Sequence, residues 1–204
     1  MTLQSLEPRL ILASQSASRR AVLENAGLRF VIRPAYVDEA ELKRSAIAEG
    51  STAHEAALLL ADLKANRVSR KESDAIVIGA DQILVCNGEW FGKPVDIEMA
   101  AAHLRRLRGQ THELATAIVC QQNGARVWQH VDRPRLTMRN FSDDFVARYL
   151  EMDGKRVLTS VGAYRLEGPG MQLFDKIEGD FFSVLGLPLL PLLRFLRQHR
   201  LLSS

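Results

Sequence analysis

Leu10-Ile-Leu-Ala-Ser14-Gln-Ser16-Ala-Ser18-Arg19-Arg20 is the stretch on which the reading of this chain turns. From Arg9 to Ala13 it is a short apolar run of the kind that forms a buried strand. Ser14, Ser16 and Ser18 follow, and then Arg19 and Arg20. Val22, Leu23 and Ala26 are spaced for one helical face, and Gly27 is suited to stop a helix. The order predicted is strand, hydroxyl-rich turn, helix start. A helix begins with unpaired N–H groups and a partial positive charge. Guanidiniums and hydroxyls placed beside it make a seat for phosphate. The plainer alternative is an N-cap at Ser16 or Ser18 with solvated arginines.

Composition sets the outer bounds. At 204 residues, with 47% hydrophobic and 25% charged residues, the chain suits one large or two-lobed globular domain. No apolar run is long enough to span a bilayer. The segment from Met1 to Pro8 carries Glu7 and no basic leader, so a secretory signal is not expected and a cytoplasmic setting is. Cys86 and Cys120 lie in apolar β-like runs and read as buried thiols of a reducing compartment. None of the five histidines pairs closely with a cysteine, which argues against zinc. A net charge of +3 suits an anionic small substrate as well as nucleic acid, and decides neither.

Outward from the opening stretch, Phe30 to Arg33 reads as a short strand ended by Pro34, and Val37-Asp38-Glu39 as a polar turn. Ser51 to Lys71 reads as a helix with a small apolar face from Ala53 to Val68. Ala75 to Ala80 is a β-branched central strand, followed by Asp81, Gln82 and a second apolar run. Asn87-Gly88 signals a hairpin that returns through Trp90-Phe91 to Gly92-Lys93-Pro94. Asp96 caps a helix to about Arg108. Thr111 to Gln122 and Arg126 to Asn140 read as two long strands about Asn123-Gly124. A helix from Ser142, a mixed stretch from Val157 to Leu166, a strand within Met171 to Ile177 and a final amphipathic helix from Leu189 complete the chain. This order predicts an α/β fold with a mixed sheet, because hairpins interrupt the crossovers.

Asp81 is the sharpest single residue. An ionised carboxylate between apolar runs is costly unless it is paired, bound to metal or placed at a cleft. It is a candidate metal ligand or general base, or else a turn aspartate at the rim. Lys64 lies on an apolar helix face, where it either reaches a site or snorkels to the surface. Asp38 and Glu39 form a second acidic pair, and Lys93 is a cation on a rigid turn. Ser14 and Arg19 at one strand end, Asp81 at another and Lys93 brought back by a hairpin fit phosphoryl or nucleotidyl chemistry. No P-loop and no dinucleotide-binding glycine pattern is present. Arg105, Arg106 and Arg108, and Arg194, Arg197 and Arg200, read as solvated helix positions.

Collected in order, these residues resemble the Maf family of nucleoside triphosphate pyrophosphatases. The resemblance rests on Leu-Ala-Ser14-x-Ser16-x-x-Arg19, Val37-Asp38-Glu39, Lys64-Ala65 and Gly79-Ala80-Asp81. It continues through Gly92-Lys93-Pro94, Leu107-x-Gly109-x-x-His112 and the run from Gly179 to Pro188. It implies an elongated mixed sheet flanked by helices, with two lobes about a central cleft, like the inosine triphosphate pyrophosphatases, as one Maf-like domain over 1–204. It implies hydrolysis of nucleoside triphosphates between the α and β phosphates with Mg²⁺ or Mn²⁺, as a house-cleaning enzyme and a homodimer. By matched position Asp81 is the proton acceptor and also a metal candidate with Glu39. Ser14, Arg19, Lys64 and Lys93 are the phosphate-binding groups. Ser18, Gln82 and Glu167 fall where the family sets base specificity. Gln82 and Glu167 are similar to the subgroup directed at 7-methyl-GTP, while Ser18 stands where that subgroup usually has tryptophan. Glu167 can accept hydrogen bonds from guanine N1 and N2. Ser183 stands where the family often has Asn. The readings from other classes are a nucleotide-responsive regulator of septum formation with little turnover, and an RNA-binding protein using the arginine helices. No membrane partner and no stable nucleic-acid partner is expected.

Overall fold

Strand β1, Arg9–Leu12, is buried along Leu10, Ile11 and Leu12 because neighbours flank it on both edges and helices cover both faces. It pairs in parallel with β2, Val31–Ile32, and with β3, Ala75–Cys86, where Leu12 stands opposite Ile78. The computed structural model describes residues 3–203. Between β1 and β2 runs helix α1, Ala17–Asn25; between β2 and β3 run α2, Glu39–Ala48, and α3, Ala53–Ser69. Strand β4, Glu89–Phe91, closes a hairpin on β3, and α4, Ile97–Leu107, leads into β5, Thr111–Gln122. The remaining strands are β6, Ala125–Asp132, β7, Arg135–Met138, and β8, Phe174–Glu178. Helix α5, Asp143–Asp153, precedes three short 3₁₀ turns, and α6, Phe181–Val184, and α7, Leu189–Gln198, end the fold.

The eight strands form one mixed sheet in the order β2-β1-β3-β5-β7-β8, with β4 beside β3 and β6 beside β5. Strands β3 and β5 pair antiparallel along most of their length and form the spine. Twelve residues of strand span about 40 Å, so the sheet is elongated. Each spine strand has two partners in succession on its outer edge. On β3, β1 ends opposite Ile78 and β4 begins opposite Leu84. Among the described residues, 79–83 therefore have β5 on one side and no strand on the other. Asp81 and Gln82 lie in that gap.

Three apolar clusters hold the sheet. The alanine-rich face of α3 packs on one side, with Ala57, Ala61 and Ala65 fully buried. Small side chains let this helix approach the strand closely. A Cβ on Gly79 would stand 2.1 Å from the Ala61 carbonyl oxygen and 2.8 Å from the Ala65 nitrogen. On the opposite face α7 sets Phe195 against Trp128, rings 5.0 Å apart. At the far end, α4, α5 and the 3₁₀ turns close a third core.

This third core holds His112, 2% exposed, with its Nε2 2.8 Å from the Tyr164 hydroxyl. Burial pushes its pKa down from 6.5 to about 4. The unfolded chain takes up a proton here that the folded chain refuses. Stability is thus complete above about pH 6.5 and falls as the pH drops towards 4, by up to about 3 kcal/mol. His103, also lowered by burial, acts in the same direction. The urea midpoint is expected to drop between pH 7 and pH 5, and to drop less in His112→Gln. A midpoint independent of pH contradicts this.

Most expected elements stand where the pattern put them, and the mixed α/β class with it. Strand β3 runs unbroken through Asp81, so the aspartate lies inside the strand rather than after it. The long strand expected from Arg126 to Asn140 divides into β6 and β7 at Arg133 and Pro134, since proline cannot donate to the ladder. The polar turn at Asp38-Glu39 is the start of α2, with the Asp38 side chain accepting from the Glu41 N–H as N-cap. The strand within Met171 to Ile177 begins only at Phe174, after a 3₁₀ turn at Pro169–Leu173. Cys86 and Cys120 are free and buried. Among the described residues no helix is long and apolar enough to cross a membrane.

Candidate active site

The turn after β1 combines an N-cap with one arginine turned inward and one turned out. Ser16 is the N-cap of α1, and its side chain accepts from the Arg19 N–H at 3.4 Å. Ser14, 8% exposed, accepts at its Oγ from the Ser16 N–H at 3.2 Å and from Arg19 Nη1 at 3.3 Å. The two arginines part company. Arg20 forms an exposed ion pair with Glu24. Arg19 turns inward and donates from Nε to the Gly186 carbonyl at 2.8 Å. Gly186 has φ +91°, and a Cβ there would stand 3.3 Å from Arg19 Nε, so the loop needs glycine at this point.

Asp81 is 3% exposed at the gap in the sheet. Lys64 reaches it from α3, with Nζ 2.5 Å from Asp81 Oδ1 and 2.6 Å from Glu39 Oε1. The ammonium thus bridges two carboxylates from different elements and does not snorkel out. Lys43, one turn beyond Glu39 on α2, stands 3.7 Å from Asp81 Oδ2 and 3.8 Å from Glu39 Oε2. Asp81 Oδ2 is buried and has no hydrogen-bond partner among the described residues. Lys93, delivered by the β4 hairpin, lines the same cleft, and its ammonium makes no hydrogen bond or ion pair among the described residues. The cleft holds about 310 Å³.

Around Asp81 four cations, Arg19, Lys43, Lys64 and Lys93, outnumber the carboxylates of Asp81 and Glu39. Burial would raise the Glu39 carboxyl, but Lys64, Lys43 and Lys93 together outweigh it and hold its pKa below the ordinary value. Burial lowers Lys93, and the Arg19 charge lowers it further. Burial also lowers Arg19, against the pull of Asp81 and Glu39. Cations that repel one another in a half-closed cleft are poised for a polyanion.

The residues also fit a hard divalent cation. Among the described residues no group of three or more His, Cys, Asp or Glu side chains could hold a metal by itself. Mg²⁺ commonly takes only one or two carboxylates and completes its shell with water and substrate phosphate. Asp81 and Glu39, which share Lys64, offer such a pair of carboxylates.

The specificity candidates Ser18, Gln82 and Glu167 line the same cleft. Ser18 Oγ donates to Glu167 Oε1 at 2.5 Å, joining residues 149 positions apart across the cleft. Gln82 Nε2 donates to Thr116 Oγ1 at 2.8 Å and to the Ser183 and Val184 carbonyls at 3.0 and 3.2 Å. Its amide nitrogen is therefore occupied in holding the α6 loop. Ser183 Oγ in turn lies 2.6 Å from Asp132 Oδ2 and 3.0 Å from Asp180 Oδ2. Sequence reasoning brought together Ser14, Arg19, Lys64, Asp81 and Lys93, and missed Lys43, Thr159 and Arg165 on the cleft wall. Lys43 was findable from the acidic first turn that marks α2. Arg165 sits in irregular backbone between two 3₁₀ turns, with no periodic signal.

A Maf-like protein family model matches residues 9–199. A nucleoside triphosphate pyrophosphatase of Granulibacter bethesdensis is 56% identical over 195 residues, 96% of this chain and 99% of its own length. One of Gluconobacter oxydans is 51% identical over 203 residues, 99% of this chain and 100% of its own. A 7-methyl-GTP pyrophosphatase of Rhizobium meliloti is 50% identical over 193 residues, 95% and 97% of the two chains. Sheet, cleft and sequence likeness over nearly the whole length agree, and the chain belongs to the Maf-like protein family.

Proposed function

We propose that this chain is a nucleoside triphosphate pyrophosphatase, which cleaves between the α and β phosphates to give a nucleoside monophosphate and pyrophosphate. The observation that carries it is the Lys64 bridge between buried Asp81 and half-exposed Glu39 at the gap in the sheet, ringed by Arg19, Lys43 and Lys93. The names of relatives at about half identity support the same reading. Ser14, Arg19, Lys64 and Lys93 hold the phosphate oxygens, and their charges offset negative charge gathering on the departing pyrophosphate. Asp81 accepts a proton at Oδ2 from the attacking water, which it orients towards phosphorus. Mg²⁺ or Mn²⁺, held by Asp81 and Glu39, would supply further charge neutralisation at the phosphates. Gly186 keeps the Arg19 guanidinium in place through its carbonyl. Glu167, fixed by Ser18, reads the base.

The substrates proposed are non-standard or modified triphosphates, removed from the nucleotide pool by a cytoplasmic homodimer. RNA binding has less support, since Arg105 and Arg108 pair with Asp143, and Arg106 pairs with Glu89. The test is a panel of dTTP, UTP, CTP, GTP and 7-methyl-GTP with Mg²⁺, with and without EDTA. Metal-dependent pyrophosphate release from at least one is expected. No release from any of them removes the enzyme reading and leaves the nucleotide sensor.

A further inference from the structure

A second cavity opens beside the first. It holds about 780 Å³, against about 310 Å³ for the cleft around Asp81. Arg19, Lys64 and Lys93 line both, so the two spaces meet at those three cations. Among the described residues Asp81, Lys43 and Gln82 line the first and not the second, whereas Ser14, Tyr36 and Arg156 line the second and not the first. A nucleotide attacked at its α phosphate beside Asp81, with its base on the Gln82 side, lays its β and γ phosphates along the shared cations. A group attached to the γ phosphate then extends into the second cavity.

The second cavity is built for more than pyrophosphate. Ala35 and Val37, which follow β2, and Leu158, from the 3₁₀ turn after α5, give it apolar walls. Phosphate oxygens are strongly hydrated and gain nothing from such surface. Tyr36 is 77% exposed, and its ring has no aromatic or cation–π contact among the described residues. An exposed aromatic side chain at a cavity is a platform on which a base of any kind can stack. Arg156 adds a fixed cation. Its Nε lies 3.2 Å from Oδ1 of the buried Asp153 and donates to the Asp153 carbonyl at 3.0 Å. The first turn of α1 lines this cavity as well, and its N–H groups suit a further phosphate. Phosphate-binding groups followed by an aromatic and apolar space match a second nucleotide.

We infer that the second cavity holds a second nucleoside and that the protein cleaves dinucleoside tetraphosphates, which are triphosphates carrying a nucleotide on the γ phosphate; this rests on the pyrophosphatase reading above. Water bonds to the α phosphorus and gives its proton to Asp81, which passes it to solvent. The bridging bond from the α phosphorus breaks, and its electron pair stays on the oxygen of the departing β phosphate. The products are a nucleoside monophosphate and a nucleoside triphosphate.

The experiment compares GTP with diguanosine tetraphosphate, and UTP with diuridine tetraphosphate, using the full chain with Mg²⁺ and resolving early products by chromatography. At least one tetraphosphate is expected to give monophosphate and triphosphate together, with kcat/KM no lower than about a tenth of that for its triphosphate. In Tyr36→Ala the ratio of tetraphosphate to triphosphate kcat/KM is expected to fall about tenfold, because one stacking surface is lost. General damage to the fold lowers both substrates together and leaves that ratio where it was. Central cleavage to two diphosphates, slower turnover of both tetraphosphates than that limit, or a ratio that Tyr36→Ala changes less than about threefold overturns the inference. Turnover of the triphosphates without the tetraphosphates overturns it and leaves the pyrophosphatase reading intact. Turnover of none of the four overturns both.

Discussion

Asp81→Asn is expected to lower kcat by about 10³-fold with KM changed little, because the substitution keeps the shape and removes the proton acceptor. The fold should survive it. Asparagine can still receive the Lys64 hydrogen bond through its carbonyl oxygen, and Lys64 keeps its 2.6 Å partner Glu39. Steady-state pyrophosphate release, with a thermal melt of the same preparation, separates the two effects. Activity within tenfold of the unaltered protein, at equal stability, would remove Asp81 from the chemistry. A collapse of the melting temperature would make it a structural residue instead.

The companion prediction reverses the balance between stability and rate. Lys64→Met is expected to cost about 3 kcal/mol of stability, because it leaves Asp81 buried beside Glu39 without the cation they share. Lys43, at 3.7 Å from Asp81, is then the one ion-pair partner left among the described residues, with Arg19 and Lys93 acting from farther off. Activity should fall as well, through weaker triphosphate binding. Urea unfolding at neutral pH measures the first effect and KM the second. Little change in the midpoint would mean that Lys43 or water supports the carboxylates well enough for the Lys64 bridge to be dispensable. The contrast between the two substitutions is itself informative. A site in which both residues were merely structural would show similar stability losses and no thousandfold loss of rate at constant stability.

How much of this was legible from the amino-acid order depends on the physical signal each part carries. Strand β1, α3 and β3 are written in uninterrupted apolar or small-residue runs, and hairpin turns such as Asn87-Gly88 are written in their own chemistry. The convergence of Ser14, Arg19, Asp81 and Lys93 followed from strand ends and one tight hairpin. Lys64 was legible as a charge on an apolar face, though its two carboxylate partners were not. The missed parts share a cause. Helix α2 is half polar with only Ala46 buried, so its periodicity is weak and only its caps announce it. The wall bearing Arg165 and Glu167 is built from 3₁₀ turns and irregular backbone, which are set by tertiary packing such as Gly162 against Leu84. The pairing of Ser18 with Glu167 spans 149 residues, and no local pattern encodes it. The division of β6 from β7 is marked in the sequence by Pro134 alone, within a β-rich run.

The central claim is that the cleft at the gap in the sheet beside β3 splits a triphosphate between its α and β phosphates. Phosphorus NMR of the purified protein incubated with GTP and Mg²⁺ tests it directly, since it resolves every phosphorus-containing product at once. The account predicts GMP and pyrophosphate appearing together in equal amounts, with no GDP at any time. GDP with inorganic phosphate, or a nucleotide left intact while other triphosphates also persist, would contradict it.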